Sequence, residues 1–228
     1  DFGPYGWLEG FDFGWTPNTT DKQHKRYRYA NQPNIGLWNL YQLANALYPI
    51  IEQVEPLEAI LDQYKTDFEQ QSFSMMKSKL GLFNSDKNDL ELIQNLEDLL
   101  QLVETDMTIF FRNLSNFKDA ESGLELVKKA FYESKDVSGE VRSSWNNWFK
   151  KYGERLQKES TSSKERKEKM DAVNPKYVLR NYMSQLAIDA ADEGDYTLID
   201  ELFQLLKRPY AEQPKNEKWF AKRPEWAR

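Results

Sequence analysis

Apolar residues begin to recur at helical spacing only after Pro33, and from there the chain reads as a succession of helices as far as Pro209. Pro33 suits a first helical turn, because its fixed φ is already helical and its missing N–H would have no partner there. Ile35, Leu37, Trp38, Leu40, Tyr41, Leu43, Ala44 and Leu47 then line a face so broad that the helix, running up to Pro49, is expected to be deeply buried, with Trp38 as a packing residue. Leu57, Ile60, Leu61, Tyr64, Phe68, Met75, Met76 and Leu80 predict a second helix from Pro56 to Leu80, ended by Gly81. Ser85 or Asp86 is placed to cap a third, carrying Leu90, Ile93, Leu96, Leu100 and Val103. Thr105 or Asp106 is placed to cap a short fourth through Ile109, Phe110, Phe111 and Leu114.

Residues 118–122 read as a turn, and Leu124, Val127, Ala130 and Phe131 as a helix that stops before 134–139. The stripe Val141, Trp145, Trp148, Phe149, Tyr152 and Leu156 could stack a base or a sugar, but docking of its aromatics into neighbouring helices is the commoner use of such a face. The Ser160–Ser163 run can cap a solvated helix in which Glu165 and Lys169 are spaced for an i,i+4 ion pair. Asn174-Pro175 predicts a helix start, continuing through Tyr182 and Leu186 to Ala190, and Arg180 on its largely apolar face is expected to form a buried or half-buried ion pair, a structural role favoured over substrate binding. Asp195 can cap the last helix, and Pro209, Pro214 and Pro224 predict an extended tail over the surface. Residues 1–33, rich in Gly, Pro and aromatics, read as an ordered loop that packs Phe2, Tyr5, Trp7, Leu8, Phe11, Phe13 and Trp15 and allows a short hairpin. The fold class is mainly α.

Composition narrows the functions. With 39% hydrophobic and 14% aromatic residues among 228, the chain can bury a real core. A net charge of −6 argues against a general nucleic-acid binder, which needs a clustered cationic surplus. The absence of cysteine excludes disulfides and thiolate metal sites, and His24 stands alone, as a surface histidine. No apolar stretch approaches the roughly 20 residues of a membrane span. The cluster Lys22, Lys25, Arg26 and Arg28, interleaved with Tyr27 and Tyr29, could hold phosphate or an acidic peptide, or form a solvated loop whose tyrosines pack.

The candidate chemistry lies at the start. Asp1-Phe2-Gly3 is the type of turn in which a carboxylate holds Mg²⁺ against nucleotide phosphates while the glycine lets the backbone turn beside it. Three letters also fit a glycine-terminated surface turn, and a second copy stands at Asp12-Phe13-Gly14. The surroundings separate the two. The string Asp1-Phe2-Gly3-Pro4-Tyr5-Gly6-Trp7, with Thr16-Pro17-Asn18-Thr19-Thr20-Asp21, Tyr27, Asn31-Gln32-Pro33 and Leu37-Trp38-Asn39-Leu40, resembles the SelO/YdiU family of kinase-like proteins. So does a later block, Asn174-Pro175-Lys176-Tyr177-Val178-Leu179-Arg180-Asn181-Tyr182, with Ala187-Ile188-Asp189-Ala190-Ala191 and Arg208-Pro209-Tyr210. Residues 50–170 carry no matching motif.

The resemblance implies a protein adenylyltransferase that transfers AMP from ATP to Ser, Thr or Tyr hydroxyls of proteins. It implies the C-terminal lobe of a protein-kinase-like fold over residues 1–115 and a C-terminal helical extension over 116–228. Asp1 matches the family's metal and cofactor ligand, for Mg²⁺ or Mn²⁺ with ATP as substrate, and Asp12 does not. The family's nucleotide-binding Lys and Arg residues, Gly-rich loop, catalytic base and second metal ligand lie upstream of that turn. The chain is therefore expected to begin partway through a larger protein, cytoplasmic in a bacterium or mitochondrial in a eukaryote, and to be inactive alone. It also ends without the cysteine or selenocysteine that members often carry. An all-helical protein-interaction module is the alternative. An ordinary protein kinase fits less well, since no Ala-Pro-Glu follows the turn and Pro4 replaces the usual continuation.

Overall fold

The structure is a computed structural model, described for residues 6–17 and 23–227. It is mainly helical, and no strand occurs among the described residues. The chain forms two compact units: Asp12–Met76 makes up one, and Gly6–Phe11 with Lys77–Arg228 the other.

The first unit holds α1 (Gln32–Ile51) and most of α2 (Glu55–Lys79). Pro33 sits in the first turn of α1, as its geometry predicts. Pro49 does not end that helix. It stands in the last turn, where its missing N–H forgoes a single backbone bond, and Glu52 closes the helix with a left-handed φ of 55° and an N–H bonded to the Tyr48 carbonyl at 2.8 Å. The Tyr64 hydroxyl donates to the Pro33 carbonyl at 3.2 Å, and a Cβ on Gly36 would come within 2.7 Å of that hydroxyl, so glycine permits the close approach. The expected deep burial of α1 is overturned: none of its residues is buried, and Trp38, Tyr41, Leu43 and Ile50 are 47%, 54%, 53% and 80% exposed. Apolar residues recur along α1 as predicted, but the described residues leave many of them exposed.

In the second unit, α2 ends in a Schellman turn. Leu82 N–H bonds the Lys77 carbonyl at 2.9 Å, Gly81 N–H bonds the Ser78 carbonyl at 3.1 Å, and Gly81 takes φ +69°. Then follow α3 (Asp89–Leu102), α4 (Met107–Leu114), α5 (Ala120–Val127) and α6 (Gly139–Leu156). The sequence reading of 118–122 as a turn misses the start of α5, where Asp119 accepts from Ser122 N–H at 2.8 Å. Asp106 caps α4, accepting from Ile109 N–H at 2.9 Å. Asp86 does not cap α3. It sits in the preceding turn, accepting from Asn88 N–H, while Asp89 is wholly buried against Arg155, with N–O distances from 2.5 Å.

The aromatic stripe of α6 is core. Trp145, Phe149 and Tyr152 are fully buried and Trp148 nearly so; Trp148 Nε1 donates to the Leu92 carbonyl at 3.0 Å and the Tyr152 hydroxyl to that of Leu80 at 2.8 Å. These bonds satisfy the polar ends of rings whose faces are spent on packing. Gly123 of α5 lets α6 come close, since a Cβ there would stand 2.6 Å from the Phe149 ring.

Next is α7 (Ser163–Val173), capped by Ser162 and carrying the predicted Glu165–Lys169 pair at 2.8 Å. Asn174-Pro175 does not start the next helix. Asn174 is the C-cap of α7, residues 175–180 are non-helical, and α8 (Asn181–Asp192) begins later. The backbone between the helices is held by Lys176 and Tyr177 N–H bonds to the Pro209 carbonyl at 2.8 and 3.1 Å. With α9 (Thr197–Leu206), Tyr177, Tyr182, Met183, Leu202, Leu205 and Trp219 form a second apolar cluster. The tail is thus not merely draped over the surface: it makes 3₁₀ turns at Pro214–Trp219 and Glu225–Ala227 and inserts Trp219 into that cluster.

Two outcomes follow from this packing. Gly81→Ala forces a left-handed alanine and brings its Cβ to 2.8 Å from Arg166 Cγ and Met170 Sδ, so the urea midpoint should fall, by more than the roughly 1 kcal/mol typical of a strained turn position. Lys79 is pushed down to about 8 by burial, its ammonium 4.5 Å from the Phe111 ring centroid. Between about pH 8 and the ordinary lysine value of 10.5 the unfolded chain holds a proton that the folded chain has lost, so this group makes stability rise with pH across that window. Lys79→Met should therefore stabilise the chain at pH 7, on the order of 2 kcal/mol. Urea titrations at several pH values should show the gain vanishing above the window.

Candidate functional site

Asp1, the predicted metal and cofactor ligand, lies outside the described residues, as do Phe2, Gly3, Pro4 and Tyr5. The residues that follow them are fixed in detail. Trp7 is clamped on both sides of its backbone by one side chain: its N–H donates to Asn181 Oδ1 at 3.0 Å, and Asn181 Nδ2 donates to its carbonyl at 2.9 Å. Asn181 is itself aimed by Glu9, whose Oε1 accepts from the Asn181 N–H at 3.1 Å. Glu9 is buried, 5% exposed, and faces the Arg223 guanidinium at 3.8 Å.

The rest of Gly6–Phe11 lies against the segment before α4. Met107 N–H bonds the Glu9 carbonyl at 3.2 Å, Phe11 N–H bonds the Thr105 carbonyl at 3.0 Å, and Gly10 forms an isolated antiparallel bridge with Asp106. On the other side, Thr105 bridges Phe131 and Asp106 N–H bonds the Ala130 carbonyl at 2.8 Å. Three short extended pieces thus lie side by side, too short to form strands.

At their centre is the predicted buried partner of Arg180. Asp106 is fully buried, and its Oδ2 and Oδ1 accept from the two Arg180 terminal nitrogens at 2.5 and 3.1 Å. The same Oδ1 caps α4 and Oδ2 lies 3.5 Å from the Tyr132 hydroxyl. Burial works against the Arg180 charge, yet Asp106 outweighs it and holds the guanidinium pKa above its ordinary value. Burial also pushes the Tyr132 hydroxyl up, and the Asp106 charge adds to this. Arg180 is structural, as its apolar setting implied. Its partner stands 74 residues away, and the local pattern that marks Asp106 as a helix cap does not mark it as the partner of Arg180.

The second Asp-Phe-Gly is a self-contained turn. Asp12 is exposed, its Oδ1 accepts from Gly14 N–H at 2.7 Å, and its carbonyl accepts from Trp15 N–H at 3.2 Å. Tyr29 and Ala30 N–H groups bond the Trp15 and Phe13 carbonyls at 2.8 and 3.1 Å, which is as far as the allowed hairpin goes. In the basic loop Lys22 lies outside the described residues, His24 is exposed, and the Arg26 guanidinium covers the Trp38 ring at 4.4 Å from its centroid. No group of three or more His, Cys, Asp or Glu side chains among the described residues could hold a metal ion.

The two sequence blocks that resemble one family therefore meet in space, Asn181 of the later block holding the segment that contains Trp7 of the first. Comparison with known proteins places the chain among relatives named as protein nucleotidyltransferases. The Protein nucleotidyltransferase YdiU of Flavobacterium johnsoniae is 57% identical over 230 residues, covering 100% of this chain and 44% of the relative. Those of Aromatoleum aromaticum and Rhodopirellula baltica are each 46% identical, covering 100% of this chain and 43% and 45% of their own lengths. The chain thus spans less than half the length of these curated relatives. The family model described as Protein adenylyltransferase SelO matches residues 1–207, and the chain belongs to the SelO family.

Removing Asp106 leaves Arg180 charged and unpaired in a buried site. Asp106→Ala should cost about 3–5 kcal/mol, a large part of a domain's stability. Adding Arg180→Met should restore part of the loss, because the lone charge goes while the α4 cap stays missing. Urea denaturation of the single and double variants checks both.

Proposed function

We propose that this chain is the C-terminal part of a SelO-type protein adenylyltransferase, which transfers AMP from ATP to Ser, Thr or Tyr hydroxyls of proteins. Family membership across residues 1–207 supports the reading. The observation that carries it is the clamp of Asn181 on Trp7: a bidentate amide, aimed by a buried glutamate, fixes the backbone six residues after Asp1. Positioning of this kind is what a phosphoryl- or nucleotidyl-transfer site needs from its scaffold.

In this reading residues 1–115 belong to a kinase-like C-terminal lobe and 116–228 to a helical extension. Asp1 supplies one hard oxygen ligand to Mg²⁺ or Mn²⁺. The donor chemistry fits: such an ion takes one or two carboxylates and completes its shell with phosphate oxygens and water. The bound ion would neutralise phosphate charge. In the transfer itself the acceptor hydroxyl oxygen bonds the α-phosphorus, the bond to the pyrophosphate leaving group breaks, and the hydroxyl proton passes to a base outside these residues. The exposed apolar residues of α1 are, in this reading, covered by the rest of the family's polypeptide. An interaction module without catalysis is not favoured, because the family match extends through both blocks and α1 alike.

The test uses the longer polypeptide that carries this chain, incubated with ATP labelled in its α-phosphate and with Mg²⁺ or Mn²⁺. Label should enter protein, and Asp1→Ala should abolish incorporation. Full transfer by the Asp1→Ala protein would remove Asp1 from the site, and no transfer by the unmodified protein would remove the function. The chain by itself should transfer nothing.

A further inference from the structure

The second unit has a cavity of about 780 Å³ between α4, the 3₁₀ turn Lys128–Ala130, α7 and the tail. Six cations line it: Arg112, Lys128, Lys129, Lys167, Lys176 and Lys222. The lining holds two carboxylates, Glu212 and Glu217. The chain as a whole carries a net charge of −6, so this concentration of positive charge runs against the overall balance.

How the charges are paired is informative. Arg112 and Lys176 are fixed and buried, their side chains 5% and 8% exposed. Arg112 is held by the carbonyls of Asp171 and Asn174, both at 3.0 Å. Of the carboxylates that meet these cations, Glu212 and Glu217 are exposed, their side chains 60% and 59% accessible, whereas the half-buried Asp171 stands 3.5 Å from Arg112 and 2.7 Å from Lys167, and Lys128 pairs with Glu125 at 3.3 Å. Glu212 bridges Arg112 at 2.7 Å and Lys176 at 2.6 Å, and Glu217 meets Lys176 at 2.7 Å. Burial works against the charge on Lys176, but the two glutamates outweigh it and hold its pKa above the ordinary lysine value. Lys176 and Arg112 hold the Glu212 carboxyl below its usual range.

Further round the wall, the Lys222 ammonium is bonded to the carbonyls of Phe131 and Tyr132 and lies 5.5 Å from the Tyr132 ring centroid, with no carboxylate partner among the described residues. Lys129 is exposed and has neither an ion pair nor a hydrogen bond among them. Two buried cations, exposed carboxylates resting on them and two lysines with no carboxylate partner among the described residues form a site whose own acidic side chains stand where an external anion would sit.

From this we infer that the cavity binds a small molecule carrying two linked phosphates, the diphosphate displacing Glu212 and Glu217 from Arg112 and Lys176 while Lys129 and Lys222 take up its outer oxygens. Two phosphates match two displaced carboxylates and the fan of donors around them, which a single phosphate would leave half used. Nothing in this inference depends on the chemistry proposed for Asp1.

The experiment is calorimetric titration of the chain with sodium pyrophosphate at low ionic strength without divalent metal. Binding is expected for the unmodified chain. Glu212→Gln should tighten it severalfold by removing the competing charge, and Lys129→Glu should weaken it about tenfold. Lys65→Glu, on α2 and outside the lining, changes the net charge equally and should have little effect. The inference is overturned if neither the unmodified chain nor Glu212→Gln binds at millimolar pyrophosphate, if Lys129→Glu and Lys65→Glu weaken binding alike, or if citrate binds as tightly as pyrophosphate. Lys129 is exposed, so its replacement leaves the fold intact, which circular dichroism verifies.

Discussion

The Asp106–Arg180 pair is the constraint around which the second unit is arranged. One buried carboxylate receives a guanidinium from the segment before α8, caps α4 and lies beside the Tyr132 hydroxyl, while its own backbone joins Ala130 and Gly10. A charge so buried is tolerable only when its oxygens are fully engaged. Each partner therefore has one place to be, and three stretches far apart in sequence are brought into register. Gly6–Phe11 is the lightest of the three and depends most on the others, since it contributes no helix of its own.

Much of the helical order was legible because the signals are local. Caps at Asp106 and Ser162, the Gly81 stop, the Glu165–Lys169 pair and the aromatic stripe of α6 all follow from spacing within a turn or two. The misreadings share a cause. A proline ends a helix only where its lost bond matters: Pro49 sits inside the last turn of α1, and Asn174-Pro175 opens a non-helical run whose Lys176 and Tyr177 N–H groups bond the Pro209 carbonyl. The burial of α1 was inferred from a pattern that says which face is apolar but not what lies against it.

The candidate site was legible in a different way. Arg180 announced a partner by its apolar surroundings, but the local pattern that marks Asp106 as a helix cap does not mark it as that partner, and nothing marked Asn181 or Glu9 as holders of Trp7. Such groups act across 74 to 174 residues of sequence, and only the fold selects them. Of the two Asp-Phe-Gly copies, the structure shows the second using its carboxylate on its own Gly14, leaving that oxygen engaged with its own backbone.

The exposed apolar residues of α1 have a practical consequence. A helix that presents Tyr41 and Tyr48 to water on one side and Leu43 and Ile50 on the other gains by matching either side with a similar one it meets. A preparation of this chain on its own should thus be limited by clumping at high concentration rather than by loss of fold, and charged replacements along either side would be the first remedy to try.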